Sequence, residues 1–322
     1  MELGRPLAKL PIRFDVEALE AEVRALPNSA WVPHPTGFVG NEAVRLITPG
    51  GRPTDDNSGP MEPTPELLAC PYIMQSMAAI GSVWGRSRLM GLGAGADVPP
   101  HIDSHYYWRT HWRIHIPVIT NPDVTFKCGG ESVHMKAGEC WVFDSFRGHT
   151  VRNGGTEQRI HLVLDTVGGG RLRELIEASV RGATDGEYVK PGTYSTDHLA
   201  YERVNSPKIM SPWEIRAHVG FLGEHALPHA LLGPVLKRLD DFASDWAAVW
   251  AQHEADETGW PDYVRLLEGL KRDLSTIGGA SVQLKNKLSL YLVLDHMVLL
   301  NLFGDPAAVQ AKAAGEARRL AS

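Results

Sequence analysis

The chain between residues 86 and 167 consists of short segments in which apolar and polar residues alternate, with turn residues between them. A period of two is typical of strands that are buried on one face, and Asn-Pro-Asp, Gly-Gly and Ala-Gly steps are typical of the turns between strands. Several short strands at close spacing favour an antiparallel sandwich or barrel over alternating strands and helices. The segments that contain the predicted strands are RLMGLGAGA, THWRIHIPVIT, VTFKC, ESVHMKAG, ECWVFDS, HTVRN and QRIHLVLDTV.

Mixed and helical patterns flank this β-rich region. LAKLPIRFD predicts a strand, and DVEALEAEVRALP predicts a helix that stops at Pro27, because proline cannot continue a helix. Residues 50–65 are rich in glycine, proline and aspartate, which predicts a long loop. From Arg171 onward the apolar residues recur at helical spacing. We therefore predict an α+β protein, with a β-rich domain over residues 1–167 and a helical region over residues 171–322.

Composition and charge restrict the class of protein. Hydrophobic residues make up 43% of the chain and charged residues 22%, as in ordinary globular proteins. The net charge of −6 and a pI near 6.2 argue against nucleic acid or an anionic membrane as the main partner. The apolar run over residues 288–303 contains Asp295 and His296, which favours a buried helix over a membrane span. The first residues lack the apolar stretch of a signal peptide, and the three cysteines form no C-x-x-C pair, so we expect a cytoplasmic protein.

A histidine-rich segment within the β-rich region carries candidate metal ligands. HIDSHYYWRTHWRIH, residues 101–115, holds four histidines, two arginines and an aspartate. His101 and Asp103 are two positions apart, so on an extended segment their side chains lie on one face, as two ligands of one cation must. His149, at the start of HTVRN, is the natural third ligand. Two imidazoles and one carboxylate that leave other positions open are diagnostic of non-haem Fe(II) oxygenases, whereas structural zinc requires a closed set of four ligands.

The turn signal Asn-Gly-Gly at residues 153–155 predicts what lies beside this site. If these residues close a hairpin with a glycine in the left-handed conformation, His149 faces Arg159 directly across two paired strands. A guanidinium is rigid and permanently charged, and it can bind a carboxylate through two N–H groups. A cosubstrate that chelates iron at one end and carries a carboxylate at the other fits between the two side chains, and 2-oxoglutarate is such a molecule.

The segment THWRIHIPV predicts a second polar face near the site. Its apolar face consists of Trp112, Ile114, Ile116 and Val118. Arg113 and His115 lie on the opposite face, from which they can reach the cosubstrate or a carboxylate of a substrate. The alternative interpretation of these two residues is a solvated strand face.

The matching run HID…RIHIPVITNP…VHMKAGECWVFDS…HTVRN…RIHLVLD resembles the aspartyl/asparaginyl β-hydroxylase family, most closely its bacterial free L-proline cis-hydroxylases. The resemblance covers about residues 86–167. It implies a double-stranded β-helix, the jelly-roll or cupin-like fold, with an N-terminal mixed segment and a C-terminal helical region. It also implies a dioxygenase that uses Fe(II) and 2-oxoglutarate.

The resemblance assigns roles to particular residues. It implies that His101, Asp103 and His149 bind the iron and that Arg159 binds the distal carboxylate of 2-oxoglutarate. Arg113 and His115 match positions that help to hold the cosubstrate in the aspartyl hydroxylases, and no catalytic residue is implied beyond the metal centre.

Asp103 marks a departure from the animal aspartyl hydroxylases, which lack this carboxylate. Its presence favours the free-amino-acid branch and argues against a halogenase.

The expected reaction is hydroxylation of an unactivated C–H bond of a free amino acid or a similar small molecule by O2, with succinate and CO2 as coproducts. Two alternatives remain open at this stage: hydroxylation of peptidyl Asp or Asn, and a cupin-type protein that binds metal and ligand without oxidation. The sequence leaves the substrate and the oligomeric state open.

Several neighbouring residues have two interpretations. His105 and His111 are either solvated or contact the metal ligands from behind. His161 shares the face of Arg159 or is a hydrogen-bonded core histidine. Residues 106–108, Tyr-Tyr-Trp, line the substrate pocket or pack beneath the next strand.

Overall fold

The structure is a computed structural model that describes residues 3–320, so residues 1, 2, 321 and 322 of the two predicted domains lie outside the described part. The strands are β1 Leu7–Phe14, β2 Val32–Pro33, β3 Asn41–Pro49, β4 Met61–Pro63, β5 Val83–Leu92, β6 Asp97–His101, β7 Trp112–Ile119, β8 Val124–Cys128, β9 Glu131–Val133, β10 Glu139–Phe143, β11 His149–Asn153, β12 Arg159–Gly168, β13 Glu187–Val189 and β14 Ala200–Tyr201. The helices are α1 Val16–Ala25, α2 Pro65–Leu68, α3 Pro71–Ile80, α4 Tyr106–Thr110, α5 Gly170–Val180, α6 Pro212–His225, α7 Leu232–His253, α8 Trp260–Ile277, α9 Leu290–Met297 and α10 Pro306–Leu320. The predicted α+β class is confirmed.

Strands β5 to β12 form two antiparallel sheets between which the chain alternates. The large sheet has the order β13-β1-β10-β7-β12-β5-β3-β2, with β14 on β5 and β4 on β3, and the small sheet has the order β6-β11-β8-β9. The chain therefore places β5, β7, β10 and β12 in one sheet and β6, β8, β9 and β11 in the other. This interleaving is the jelly-roll arrangement, and it confirms the predicted double-stranded β-helix.

The two faces of the large sheet bury different side chains. On the outer face the predicted apolar stripe of β7 packs in a core that includes Leu19 of α1, Ile73 of α3 and Leu175 of α5. On the inner face Phe143 packs with Phe126 of the small sheet. Alternate residues of β7 therefore point in opposite directions, as the period of two predicts, and the odd-numbered ones face the small sheet.

The predicted N-terminal strand and helix are confirmed as β1 and α1. Asp15 begins α1 by accepting a hydrogen bond from the Ala18 backbone N–H at 3.0 Å. Such a cap satisfies one of the N–H groups that the first turn of a helix leaves without a partner. β1 pairs with β10, so this segment extends the large sheet beyond the jelly roll.

The predicted hairpin at Asn153–Gly155 is wrong. β11 pairs with β6 and β8 in the small sheet, whereas β12 lies between β5 and β7 in the large sheet. Residues 159–166 of β12 are all buried, so β12 is a central strand that already has two neighbours. Asn153 ends β11, and its fully buried amide donates to the carbonyl oxygens of Leu92, Gly93 and Glu157. The segment therefore turns the chain from one sheet to the other.

The chain divides into two compact units at a different place from the predicted boundary at residues 167–171. One unit runs to Asp103 and resumes over Tyr107–Asn205, and the other comprises Ser104–Tyr106 and the chain from Ser206 onward. The segment after β12 stays with the β-rich unit because β13 pairs with β1 and β14 with β5. In α5, the Ser179 hydroxyl donates to the Lys9 carbonyl of β1 at 2.6 Å.

The second unit is helical from Ser206 onward and lies within the helical region predicted over residues 171–322, apart from Ser104–Tyr106. Its largest fully buried side chains include Trp246, Phe242 and Tyr263, and the Trp246 indole N–H donates to the Met210 carbonyl at 2.8 Å. The apolar run over residues 288–303 forms α9 and a following 3₁₀ turn, and most of its apolar side chains are buried. Within residues 3–320, no helix combines the length and apolar character that crossing a membrane requires.

Candidate metal centre

A cavity of about 500 Å³ lies in the β-rich unit and is lined from both sheets of the jelly roll. The residues that the sequence proposes as ligands lie on its wall, together with charged groups from β5 and from the loop over residues 50–65. The lining residues with charged, imidazole or amide side chains are His34, Asn41, Asp55, Arg86, Arg88, His101, Asp103, Arg113, His115, His149, Arg159 and Asp165.

The structure brings together the three side chains proposed as metal ligands. His101 on β6 and His149 on β11 are directly paired across the two strands, and their ring centroids are 4.1 Å apart. Asp103 follows β6, and its Oδ2 lies 3.8 Å from His149 Nε2. One ligand atom from each residue lies within 4.8 Å of the others. Three donors at these separations can bind one divalent cation.

Backbone carbonyls hold the two imidazoles in orientation. His101 Nδ1 donates to the Pro99 carbonyl at 2.9 Å, and His149 Nδ1 donates to the Arg147 carbonyl at 3.0 Å. With the hydrogen on Nδ1, a neutral ring presents the lone pair of Nε2, which is the form a metal ligand needs. Burial lowers the pKa of His149 to about 4, so this ring is neutral near pH 7.

The carboxylate of the set is held by Arg113. Its Nη1 donates to Asp103 Oδ2 at 3.0 Å, and its Nε donates to Asp165 Oδ1 at 3.2 Å. The guanidinium also stacks on Trp108, with Cζ 3.8 Å from the ring centroid. Burial by itself lowers the pKa of Arg113, but the charges of Asp103 and Asp165 raise it above its ordinary value. In this structure Arg113 therefore orients a candidate metal ligand, and its suggested contact with the cosubstrate remains a prediction.

Asp165 is a site residue that sequence analysis does not identify. It lies directly opposite Arg113 in the register of β12 and β7 and is only 3% exposed. The available signal is the only carboxylate in the segment RIHLVLDTV, where it directly follows the apolar run Leu-Val-Leu, because a buried charge requires a partner.

Arg159 lies in the same cavity as the candidate ligands, although it reaches the cavity from the other sheet. The side chain is 4% exposed, and its Nε and Nη2 find no hydrogen-bond partner within residues 3–320. Burial lowers the pKa of Arg159 to about 9. A buried guanidinium with free donors is costly unless an anion binds to it, so this position fits the carboxylate of a bound molecule.

His115 and His161 form a pair on β7 and β12 near this guanidinium. Their Nδ1 atoms are 3.4 Å apart, and neither Nε2 has a partner among the described residues. Burial, and then the charge of Arg159, keep both pKa values well below the ordinary value. His161 shares a face with Arg159 as predicted but is not on the cavity wall, whereas His115 lines the cavity.

The residues present fit Fe(II) and 2-oxoglutarate. Two imidazole nitrogens and one carboxylate form an open set for a divalent ion, and a buried guanidinium with free donors lies in the same cavity. None of the cavity-lining residues is a cysteine, which argues against a thiolate zinc site.

A further group of charged residues on the cavity wall is also absent from the sequence prediction. Asp55, from the predicted loop, accepts two hydrogen bonds from Arg45, at 3.1 and 2.5 Å, and lies 3.7 Å from Arg88 Nη1. Arg88 also contacts His34 Nε2 at 3.3 Å. The available signal is the spacing of two arginines in the segment GRSR, which places Arg86 and Arg88 on one face of β5.

The remaining histidines and aromatics of residues 101–115 have mixed roles. His111 is buried, stacks on Tyr107 with ring centroids 3.8 Å apart, and contacts Glu202 at 3.1 Å, so it is not solvated, and it is not one of the residues that line the cavity. His105 is half-buried. Of the three adjacent aromatic residues, Trp108 lines the cavity, and the Tyr107 hydroxyl packs against β5 and accepts from the Arg86 backbone N–H at 2.9 Å.

Residues 52–168 match the Aspartyl/Asparaginyl beta-hydroxylase family, which confirms the predicted resemblance for this part of the chain. No curated protein matches the sequence.

Several solved structures are partly similar to this chain. One is a 2OG-Fe(II) oxygenase family oxidoreductase from Burkholderia pseudomallei, which has 13% identity over 48% of this chain and 80% of its own, with a TM-score of 0.34. A prolyl-4-hydroxylase from Pseudomonas putida has 14% identity over 51% of this chain and 94% of its own, with a TM-score of 0.35. A predicted oxalate decarboxylase from Thermotoga maritima has 18% identity over 42% of this chain and 89% of its own, with a TM-score of 0.26.

Proposed function

We propose that this protein is a dioxygenase that uses Fe(II) and 2-oxoglutarate to hydroxylate an unactivated C–H bond of a free amino acid or a similar small molecule. The match to a hydroxylase family supports the reaction class. One observation carries the proposal: the ligand atoms of His101, Asp103 and His149 converge within 4.8 Å in a cavity that also contains a buried guanidinium with free donors.

In this proposal each residue of the site has one task. His101, Asp103 and His149 hold the ferrous ion, and Arg159 binds the distal carboxylate of 2-oxoglutarate. Arg113 fixes the orientation of Asp103, and His115 lies beside the cosubstrate. The bound iron and cosubstrate supply the oxidising chemistry with O2, and succinate and CO2 are the coproducts.

The apolar part of the cavity wall supports a role in excluding water. Phe126 and Phe143 pack against the ring of His149, with centroid distances of 6.3 and 4.9 Å. Apolar neighbours limit the access of solvent to the site and keep the imidazole neutral.

The size of the cavity supports a small substrate. A volume of about 500 Å³ lies within the range typical of small-molecule sites, roughly 300–1,000 Å³. Such a space accommodates 2-oxoglutarate together with a molecule of amino-acid size.

The experiment is an assay of succinate in the purified full-length protein with Fe(II), 2-oxoglutarate and O2, combined with mass spectrometry of a panel of free amino acids and Asp- or Asn-containing peptides. We expect succinate only when both Fe(II) and 2-oxoglutarate are present, and free amino acids that gain one oxygen atom. His149→Ala is expected to abolish both products. The exposed Arg152, on the same strand β11, provides a matched control as Arg152→Gln.

Two results contradict the proposal in different ways. Oxygen incorporation into peptides alone favours a peptidyl hydroxylase. Metal binding without any succinate favours a non-oxidative protein of the cupin type.

A further inference from the structure

The wall of the cavity includes part of the strap, which we define as residues 54–60. Asp55 is its lining residue, and the strap contains no residue of a helix or a strand. On the cavity side, Arg86 Nη1 donates to the Asp55 carbonyl at 2.9 Å, and Arg88 Nη1 lies 3.7 Å from Asp55 Oδ1. A segment without regular structure keeps its place only through individual contacts of this kind.

One amide side chain holds the other half of the strap. Asn205 Oδ1 accepts from the Gly59 backbone N–H at 2.8 Å, and Asn205 Nδ2 donates to the Asn57 carbonyl at 3.0 Å. The amide therefore pairs with two backbone groups of the strap, one donor and one acceptor. An aspartate of the same shape could accept from Gly59 but could not donate to Asn57. The arrangement therefore requires an amide at position 205.

Glu202 holds this amide in orientation. Asn205 Nδ2 also donates to Glu202 Oε2 at 3.1 Å, and Glu202 is only 4% exposed. The backbone carbonyl of Glu202 accepts from the Met61 N–H at 2.7 Å, directly after the strap. Glu202 therefore fixes Asn205 through its side chain and the end of the strap through its backbone.

His111 connects Glu202 to the helix that carries Trp108. His111 Nε2 lies 3.1 Å from the Glu202 carboxylate, and His111 Nδ1 lies 2.7 Å from the Tyr107 carbonyl of α4. Both His111 and Glu202 are buried, and polar contacts shielded from water are stronger than exposed ones. Trp108 of the same helix lines the cavity. A series of polar contacts therefore connects two parts of the cavity wall, α4 and the strap.

We propose that Asn205 and Glu202 are positioning residues that hold the strap against the cavity. This inference rests on the proposed function, in which a closed wall keeps the substrate in one orientation and excludes water. Neither Asn205 nor Glu202 is one of the residues that line the cavity, so they act on the reaction through the strap.

The test uses Asn205→Asp, which keeps the shape of the side chain but removes both of its N–H donors. The new carboxylate also lies against that of Glu202, and the two repel each other. The double variant Asn205→Asp/Glu202→Gln exchanges the two groups, so that the amide at position 202 can donate to the carboxylate at position 205. It restores the contact between the two side chains but not the hydrogen bond to Asn57. The exposed Arg203, between them in the sequence, provides the control Arg203→Gln.

The measurements use the full-length protein. Hydrogen exchange of the metal-free protein, followed by mass spectrometry, reports whether the strap opens, and exchange in β12 reports whether a variant is folded. Assays with an amino acid that the wild type hydroxylates give KM, kcat and the ratio of succinate to hydroxylated product, with ascorbate as the reductant for turnovers that hydroxylate nothing. The visible absorption of the anaerobic Fe(II)–2-oxoglutarate complex reports whether the cosubstrate binds.

We expect the backbone amides of residues 57–61 to exchange about 5- to 10-fold faster in Asn205→Asp, the effect of losing one net hydrogen bond. KM for the amino acid rises roughly 10-fold and the ratio of succinate to product increases, while kcat changes less, because the variant weakens substrate positioning and leaves the metal ligands in place. The double variant recovers part of each effect, and Arg203→Gln behaves like the wild type. The absorption band remains in all variants.

Three results overturn the inference: unchanged exchange of the strap in Asn205→Asp, faster exchange with no change in KM or in the succinate ratio, or no recovery in the double variant. The second result would leave Asn205 with a purely structural role. Failure of the proposed function looks different, because the wild-type protein then forms no succinate, whereas hydrogen exchange still reports on the strap.

Discussion

Two arginines on paired strands of the same sheet, the half-buried Arg113 and the buried Arg159, have opposite surroundings. Arg113 on β7 donates to Asp103 and Asp165 and stacks on Trp108, and these carboxylates raise its pKa. Arg159 on β12 has free donors, and burial lowers its pKa to about 9. The first guanidinium is satisfied within the folded chain, whereas the second keeps two donor atoms without a partner within residues 3–320. The difference separates a group that builds the site from a group that, in the proposed function, binds the cosubstrate.

Removal of Arg113 is expected to have the largest effect. Arg113→Ala leaves two carboxylates without their shared cation, and their side chains are only 11% and 4% exposed. Loss of one partner of such a buried pair costs about 3–5 kcal/mol. Urea unfolding of the metal-free protein measures this change, and Fe(II) affinity falls in parallel because Asp103 is no longer held. Unchanged stability would show that Arg113 is not an essential partner of the two carboxylates.

Removal of Arg159 is expected to weaken cosubstrate binding without destabilising the metal-free protein. Arg159→Gln takes away a buried charge whose Nε and Nη2 have no hydrogen-bond partner within residues 3–320, so the free energy of unfolding stays the same or rises. Binding of 2-oxoglutarate, measured by anaerobic calorimetry with Fe(II), becomes weaker by about 1.5–3 kcal/mol. A loss of stability as large as that of Arg113→Ala contradicts the comparison.

Neutralisation of Asp165 is expected to have a smaller effect than removal of Arg113. Asp165→Asn keeps an acceptor for Arg113 Nε, 3.2 Å away in the wild type, but removes one of its two counter-charges. We expect a destabilisation of about 1–2 kcal/mol, because one charge-assisted hydrogen bond becomes a neutral one. Urea unfolding checks the value, and substrate-free succinate formation checks that Asp103 remains in place. Equal effects of Asp165→Asn and Arg113→Ala would assign the whole interaction to Asp165.

The smallest expected effect is on the pH dependence of stability. His115 and His161 have pKa values below those of the unfolded chain because of burial first and Arg159 second. The folded protein therefore binds fewer protons, and stability falls as the pH drops below the unfolded value of about 6.5. Arg159→Gln removes the positive charge that lowers both folded pKa values, so we expect its stability to fall less steeply with decreasing pH than that of the wild type. Parallel stability curves contradict this.

The strands and the three candidate metal ligands follow from local sequence features. A period of two marks the strands of the jelly roll, and His101 and Asp103 lie on one face because they are two positions apart. His149 begins the next histidine-containing strand, and the interleaving of the sheets places it beside β6.

The partner of β11 could not be predicted from its turn sequence. Asn-Gly-Gly favours a hairpin locally, but β12 is buried along most of its length and its two edges are occupied by β5 and β7. Tertiary pairing therefore overrides the local preference. The predicted hairpin is wrong, but His149 and Arg159 line the same cavity. Strands in the two facing sheets of a jelly roll can bring two side chains together, as paired strands of one sheet do.

The charged cluster on β5 was missed for a different reason. Arg45, Asp55 and Arg88 come from two strands and a loop, and only the register of β3 with β5 places the two arginines opposite each other. No local spacing in the sequence predicts that Arg45, Asp55 and Arg88 lie together.

The cross-strand pairing of His101 with His149 has a consequence for biosynthesis. The two imidazoles belong to strands that the chain completes at different times, so a growing polypeptide can assemble the proposed set of metal ligands only after β11 has paired with β6.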